Sequence, residues 1–229
     1  MKNIAATLLN DDQKARVRAA IVDLERTTNA EVVAALVDTA RPYYRVELLA
    51  GAAALAAYGI VAGAAITVCT IMAARTWAPW VTLLSSWTPW VIGGPIIFVL
   101  GALLGKVRWV ASRLVPAAER QQAAFERAET LFVHHRMHKT QGSTGMLLAG
   151  FLFERMALVY GDSAVNAVVT TQDWQAAVDT LVAGLHTGHG DAVADAYVKA
   201  LGQLKSLLAD KLPPKGANPD ELPNDLIVE

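Results

Sequence analysis

Through the first 47 residues, and again after residue 105, apolar positions alternate with charged ones. Between 48 and 105 they run together, and Arg75 is the single charged residue in that stretch. A helix rises about 1.5 Å per residue and the hydrocarbon core of a bilayer is about 30 Å thick, so roughly 20 apolar residues cross it once. The stretch is 58 residues long and therefore predicts two crossings, over roughly 48–74 and 90–106. Trp77, Trp80, Trp87 and Trp90 crowd the connecting segment, where an amphipathic ring prefers the headgroup layer. Pro79 and Pro89 keep that segment from continuing the first helix, because proline lacks the backbone N–H and crowds the preceding turn. Trp109 marks the opposite boundary.

The flanks follow the periods of a folded domain. Val17, Ala20, Ile21 and Leu24 recur at helical spacing over 10–28, with Asn10 and Gln13 placed as a capping box. Asn29 stands where a left-handed residue is expected after the helix, and the valine-rich run 31–38 suits a buried strand. Beyond the apolar stretch, Pro116 opens a helix carrying Phe125, Ala128, Leu131 and Phe132 to about residue 139, stopped by Gly142 and Gly145. The apolar runs 146–153 and 156–160 predict two paired interior strands with Glu154 and Arg155 in the turn between them. Thr170 or Thr171 caps a helix with Trp174, Val178, Leu181 and Leu185 on one face. Asp191 opens another through Tyr197, Leu201, Leu204 and Leu208, ended by Pro213 and Pro214. The tail is polar and proline-rich, and its apolar end at 226–228 is expected to dock as an edge strand.

This order predicts one α/β domain, a three-layer α/β/α sandwich interrupted by an inserted two-helix transmembrane hairpin. Its parts are 1–45 and 111–212 for the domain, 46–110 for the hairpin and 213–229 for the tail. A helical hairpin brings its own ends together, which is what an insertion into a domain requires.

Composition and charge sharpen the picture. The mean hydropathy of +0.33 is carried mostly by the hairpin. The net charge of −1 offers no basic face for nucleic acid, so that partner class is set aside. The one cysteine, Cys69, falls inside the first span, so neither an intramolecular disulfide nor a cysteine zinc site can form. The N-terminus runs into the polar stretch NDDQKAR and does not read as a secretory signal. Arg41, Arg45, Lys106, Arg108 and Arg113 flank the spans, against Arg75 between them, which places both termini of a two-pass protein in the cytoplasm. Gly59 and Gly63, like Gly101 and Gly105, are four apart, a spacing that lets helix backbones approach in lipid. Gly94 is expected at the depth of Gly59, and Gly51 at that of Gly101. These glycines serve either packing within the hairpin or a homo-oligomer. No acidic residue, lysine or histidine lies at mid-membrane depth, which argues against transport.

A resemblance covers both flanks. Thr140, the run TGMLL at 144–148, Glu154 and Arg155, Gly161 and Asp162, Trp174, Leu201 and Gly202, LPPK at 212–215 and ELPND at 221–225, with TTNAEVV at 27–33, resemble bacterial membrane proteins with a TPM domain. That domain is named after thylakoid-lumen phosphatase-like, photosystem repair and receptor-modulating proteins. The resemblance implies an α/β/α sandwich facing the cytoplasm from the bacterial inner membrane. Some soluble, exported relatives have been proposed as acid phosphatases with an acidic metal site, in part on an Asp-Asn-Gly whose matching positions here are Ser143, Thr144 and Gly145. The aspartate is absent, which removes one acidic ligand.

Candidate chemistry is sparse. Asp38 ends the first strand and Asp162 follows the third, where two carboxylates near one sheet edge would suit Mg²⁺ or Ca²⁺; turn and cap roles are the plainer assignment. Glu154 and Arg155 would bind an anion or a partner, or simply solvate a turn. His134 and His138, one helical turn apart, would share a metal, yet no acidic or cysteine ligand adjoins them. Thr144 completes the binding candidates. No nucleophile-elbow, P-loop or dinucleotide glycine pattern occurs. The expected function is therefore a membrane-anchored module that binds or modulates a protein partner, without a cofactor; the alternatives are a weak metal-dependent phosphatase and a structural homo-oligomer.

Overall fold

The structure is a computed structural model that describes residues 4–75, 81, 84, 86–214 and 221–229. The chain divides into two compact units, Met1–Arg41 with Ala117–Glu229, and Pro42–Pro116.

The first unit is mixed α/β. Its elements are α1 (Ala5–Leu8), α2 (Asp11–Glu25) and β1 (Glu31–Val37), then, after the second unit, the helix Ala117–His134, a 3-10 turn Met137–Lys139, β2 (Gly145–Phe151), β3 (Met156–Gly161), the helices Ser163–Asn166, Thr171–Thr187 and Gly190–Lys211, and β4 (Ile227–Val228). With the second unit's helices α3 (Tyr44–Ala73), α4 (Thr88–Gly105) and α5 (Arg108–Leu114) counted in chain order, the later helices are α6 to α9. The sheet order is β3-β2-β1-β4. β1 is central and runs parallel to both β2 and β4, while β3 closes the β2 edge antiparallel.

All seven residues of β1 are buried, and their alternation divides two cores. Val32, Ala34 and Leu36 pack with Met146 and Leu148 against Ile21 and Leu24 of α2, Leu181 of α8 and Leu201, Leu204 and Leu208 of α9. Val33, Ala35 and Val37 pack with Leu147, Ala149 and Phe151 against Ala124, Ala128, Leu131 and Phe132 of α6. A strand buried on both faces needs the continuous apolar run that 31–37 supplies. Tyr197 reaches from α9 into the sheet, where its hydroxyl donates to the Ala35 carbonyl at 2.6 Å. Burial pushes that phenol far up.

Local signals explain most boundaries. Asn10 accepts from the Gln13 N–H and Gln13 from the Asn10 N–H, both at 2.8 Å, so the capping box forms as expected. Asp173 starts α8 by accepting from both the N–H and the hydroxyl of Thr170. The apolar end of the tail does join the sheet, as β4. Four expectations need correction. Asn29 is not left-handed, because α2 already closes at Arg26, whose N–H bonds the Val22 carbonyl. α6 ends at His134 rather than near 139, since Arg136 turns left-handed with φ 57°. β3 is an edge strand and only partly buried. Phe125 is 52% exposed and meets the Tyr160 ring at 5.8 Å rather than filling the core.

In the second unit, α3 is 30 residues long, and its most apolar 18-residue window has a mean hydropathy of 2.0 and is 11% buried. It is the one helix, among the described residues, long and apolar enough to cross a membrane by itself; α4 reaches that standard only together with α5, from which it is bent by 87°. α3 and α4 lie antiparallel through small residues. A Cβ on Gly101 would stand 2.5 Å from the Ala54 Cβ, and one on Gly105 2.8 Å from the Glu47 Cα. Gly51 meets Gly101, as depth counting expects. Gly59 does not meet Gly94: Gly59 and Gly63 have nothing within 4 Å, and Gly94 faces Leu55. Trp77, Trp80, Pro79 and residues 215–220 lie outside the described residues.

Candidate functional site

The carboxyl end of β1 holds two of the buried polar residues, Asp38 and Glu154. Glu154, 2% exposed, accepts the Ala40 N–H at 3.0 Å. The backbone there is fully tied: Phe153 N–H donates to the Asp38 carbonyl and Asp38 N–H to the Glu229 carbonyl, at 2.9 and 2.7 Å. Thr39 donates weakly to the Asp38 carboxylate at 3.4 Å. Glu154 therefore is not a solvated turn residue. It substitutes for a strand partner just past the point where β1 runs out, pairing a part-buried backbone N–H. Arg155 is exposed and left-handed, with φ 53°.

Beside it, Arg41 and Glu119 form an ion pair at 2.8 Å, with Glu126 at 3.9 Å from the same guanidinium. Arg41 is the last residue before the chain leaves this unit, and Glu119 lies two residues after its return at Ala117. The pair thus clasps exit to re-entry, the closeness that an insertion needs. Arg127 pairs with Glu229 and fixes the β4 end against α6. Neither clasp is legible from the sequence, because each joins residues more than 70 apart.

Thr144 and Asp162 lie at the other end of the sheet. The Thr140 hydroxyl accepts the N–H groups of Thr144 and Gly145 at 3.1 and 3.0 Å and organises the loop into β2. A Cβ at Gly145 would come within 2.1 Å of the Met137 carbonyl oxygen, so the backbone needs glycine there. Asp162 caps α7 by accepting the Ser163 N–H at 2.6 Å.

The structure therefore parts the expected carboxylate pair. Asp38 follows Val37 at the carboxyl end of β1. Asp162 follows Gly161, which pairs with Met146 near the start of β2, because β3 runs backwards. Six residues of strand separate the two levels, roughly 20 Å at about 3.3 Å per residue, beyond any shared ion. His134 and His138 are not one helical turn apart either, since the left-handed Arg136 intervenes; both are exposed. His134 instead stands edge-on to His135 at 5.2 Å. Burial first, and the His134 charge second, hold the His135 imidazole below its ordinary value, with Glu229 opposing. Among the described residues, no group of three or more His, Cys, Asp or Glu is placed to hold a metal ion. Of the buried carboxylates, Glu154 accepts the Ala40 N–H and Glu31 the Glu221 N–H, whereas Asp38 accepts the Thr39 hydroxyl.

No family model matches the chain, and no curated protein matches it. The NMR structure of BA42 protein from the psychrophilic bacterium Bizionia argentinensis is similar to it, at 16% identity and a TM-score of 0.54, over 96% of this chain and 94% of that one. At that identity the likeness shows a shared fold alone.

Proposed function

We propose that this chain is a two-pass membrane protein whose TPM-like α/β unit faces the cytoplasm and binds or modulates a protein partner. One observation carries the reading: a helix of 30 residues whose apolar window is 11% buried is inserted, through a clasped exit and return, into a separate unit in which Glu154 and Asp162 each accept a backbone N–H and Asp38 the Thr39 hydroxyl. The packing of α3 against α4 supports the hairpin, and the two cores on opposite faces of the sheet support the three-layer sandwich. The basic residues at 41, 45, 106, 108 and 113 support the cytoplasmic orientation. The phosphatase alternative rests on the resemblance, and the separation of Asp38 from Asp162 weighs against it.

A photo-crosslinking residue at Arg155 in native membranes is expected to capture a discrete neighbour that the same residue at the exposed Gln175 does not. The purified full chain is expected to leave phosphoesters intact with Mg²⁺ or Ca²⁺ present. Turnover abolished by Asp162→Ala would replace this reading with the phosphatase.

A second reading, a homo-oligomer, is favoured by one contrast. Gly101 and Gly105 are filled by α3, whereas Gly59 and Gly63, at the same spacing, face open space. Such a pair suits the close approach of another helix in lipid, and the mass of the chain in detergent tests it.

A further inference from the structure

The bend between α4 and α5 has the chemistry of a membrane surface. α4 is 18 residues long, about 27 Å at about 1.5 Å per residue, close to the roughly 30 Å of a hydrocarbon core. α5 leaves it at 87°. At that angle its seven residues, about 10 Å of helix, add less than about 1 Å of depth. If α4 crosses the bilayer, α5 cannot extend the crossing and must run along the surface. The bend is built in at both ends. Val107 is extended with ψ 120°, and α5 begins with the Ala111 N–H on its carbonyl at 2.9 Å. Val115 is extended too, as a residue before proline prefers.

The side chains of α5 and of the two residues that flank it divide accordingly. Ala111 and Val115 are buried, while Val107, Trp109 and Leu114 are 47%, 63% and 48% exposed. The Arg113 guanidinium lies 4.1 Å over the exposed Trp109 ring, joining a cation to an aromatic face. The start of α3 is at the same level, since Gly105 abuts Glu47 and Lys106 pairs with Glu47 at 3.8 Å. There Tyr44 is 65% exposed. The collar thus holds two exposed aromatic residues, Tyr44 and Trp109, and four basic ones, Arg45, Lys106, Arg108 and Arg113, against the single acid Glu47.

We propose that α5 is an in-plane interfacial helix that binds anionic phospholipid, with Arg108 and Arg113 on headgroup phosphates, Trp109 at the headgroup layer and Leu114 dipping toward the acyl chains. This rests on the membrane reading above. A short helix with exposed apolar and cationic side chains is held at an interface by both apolar burial and attraction to anionic lipid. A zwitterionic surface supplies only the first.

The test uses the full chain carrying Cys69→Ala, with a spin label at Ile60→Cys or Leu114→Cys, in phosphatidylcholine bilayers with or without phosphatidylglycerol. The depth of each label is read from its relative accessibility to oxygen and to a water-soluble nickel complex. The Ile60 label is expected in hydrocarbon in both lipids. The Leu114 label is expected at headgroup depth with phosphatidylglycerol, and several-fold more accessible to nickel without it or in the Arg108→Gln, Arg113→Gln double variant. A Leu114 label open to water in both lipids, with Ile60 in hydrocarbon, overturns the interfacial helix and leaves the membrane reading standing. A Leu114 depth indifferent to lipid charge and to both substitutions overturns the anionic-lipid assignment. An Ile60 label open to water overturns the membrane reading and this inference together.

Discussion

The same aliphatic side chains are used in opposite ways by the two units. In the α/β unit Leu181, Leu201, Leu204 and Leu208 have no exposed surface, whereas in the 42–116 unit Ile60, Ile92 and Leu104 are 75%, 68% and 61% exposed. Water drives the first arrangement, since apolar area removed from it stabilises by roughly 25 cal/mol per Å². In lipid that drive between helices vanishes, because acyl tails are as apolar as leucine, and contact falls to small residues that let backbones approach. α3 and α4 meet through Gly51, Gly101, Gly105, Ala50 and Ala54. On the proposed membrane reading, which residues are inside reports the solvent that each unit is built for.

Substitutions can break that contrast. The largest effect is expected from Leu204→Ala, which leaves a cavity under the sheet and should cost about 2–5 kcal/mol. Ile60→Ala, on an outward face, should change folding by less than about 0.5 kcal/mol. Urea unfolding of the full chain in detergent, followed by near-UV circular dichroism, separates them; equal losses would mean that α3 packs its aliphatic face as a water-soluble core helix does.

Glycines sharpen the comparison within the apolar unit. Gly101→Leu forces a side chain into Ala54 and should weaken the α3–α4 pair by about 1–3 kcal/mol. Gly59→Leu with Gly63→Leu should leave that pair intact, while dispersing any oligomer built on the open face. Unfolding in mixed micelles reads the first effect and sedimentation mass the second; an unchanged mass counts against the homo-oligomer.

The smallest effect concerns pH and is confined to the α/β unit. Because the folded His135 imidazole is held below 6.5, the unfolded chain takes up a proton near 6.5 that the folded chain refuses until lower pH. Stability is therefore full above about 6.5 and declines as the pH falls from there through the folded value. Asp173 acts in the same sense at more acid pH. The Lys211 ammonium, then the Thr170 N–H and hydroxyl, hold its carboxyl down to about 2, so its contribution fades as the pH drops from 3.8 toward that value. Midpoints of urea unfolding at pH 7.5 and 5.5 should differ less in His135→Gln than in the parent chain; an unaltered difference would assign it to other groups.

Much of the fold was legible where a local rule suffices. The Asn10–Gln13 box, the apolar run of β1, the β2–β3 turn at Glu154–Arg155 and the proline stop after α9 each depend on neighbours in sequence. The failures share a cause. Arg136 ends α6 in a left-handed conformation without a glycine to announce it. Phe125 sits at a helical repeat of the apolar face and yet finds only a ring at the edge. Glu154 looked like a solvated charge because the Ala40 N–H that it accepts lies 114 residues away. The candidate site suffered most, since Asp38 and Asp162 are each at a strand end, and only strand direction says which end.

The sequence by itself determined the periods: where apolar residues recur every third or fourth position, where they run unbroken, and where a stretch is long and apolar enough to cross a membrane. Those follow from the rise of a helix, the alternation of a strand and the thickness of a bilayer, which are the same in every protein. The tertiary structure alone decided orientation. It set β3 antiparallel and so placed Asp162 far from Asp38, turned Gly101 toward α3 and Gly59 away from α4, and closed Arg41 on Glu119. Direction and rotation are fixed by contacts between distant segments, and no spacing along one chain encodes them.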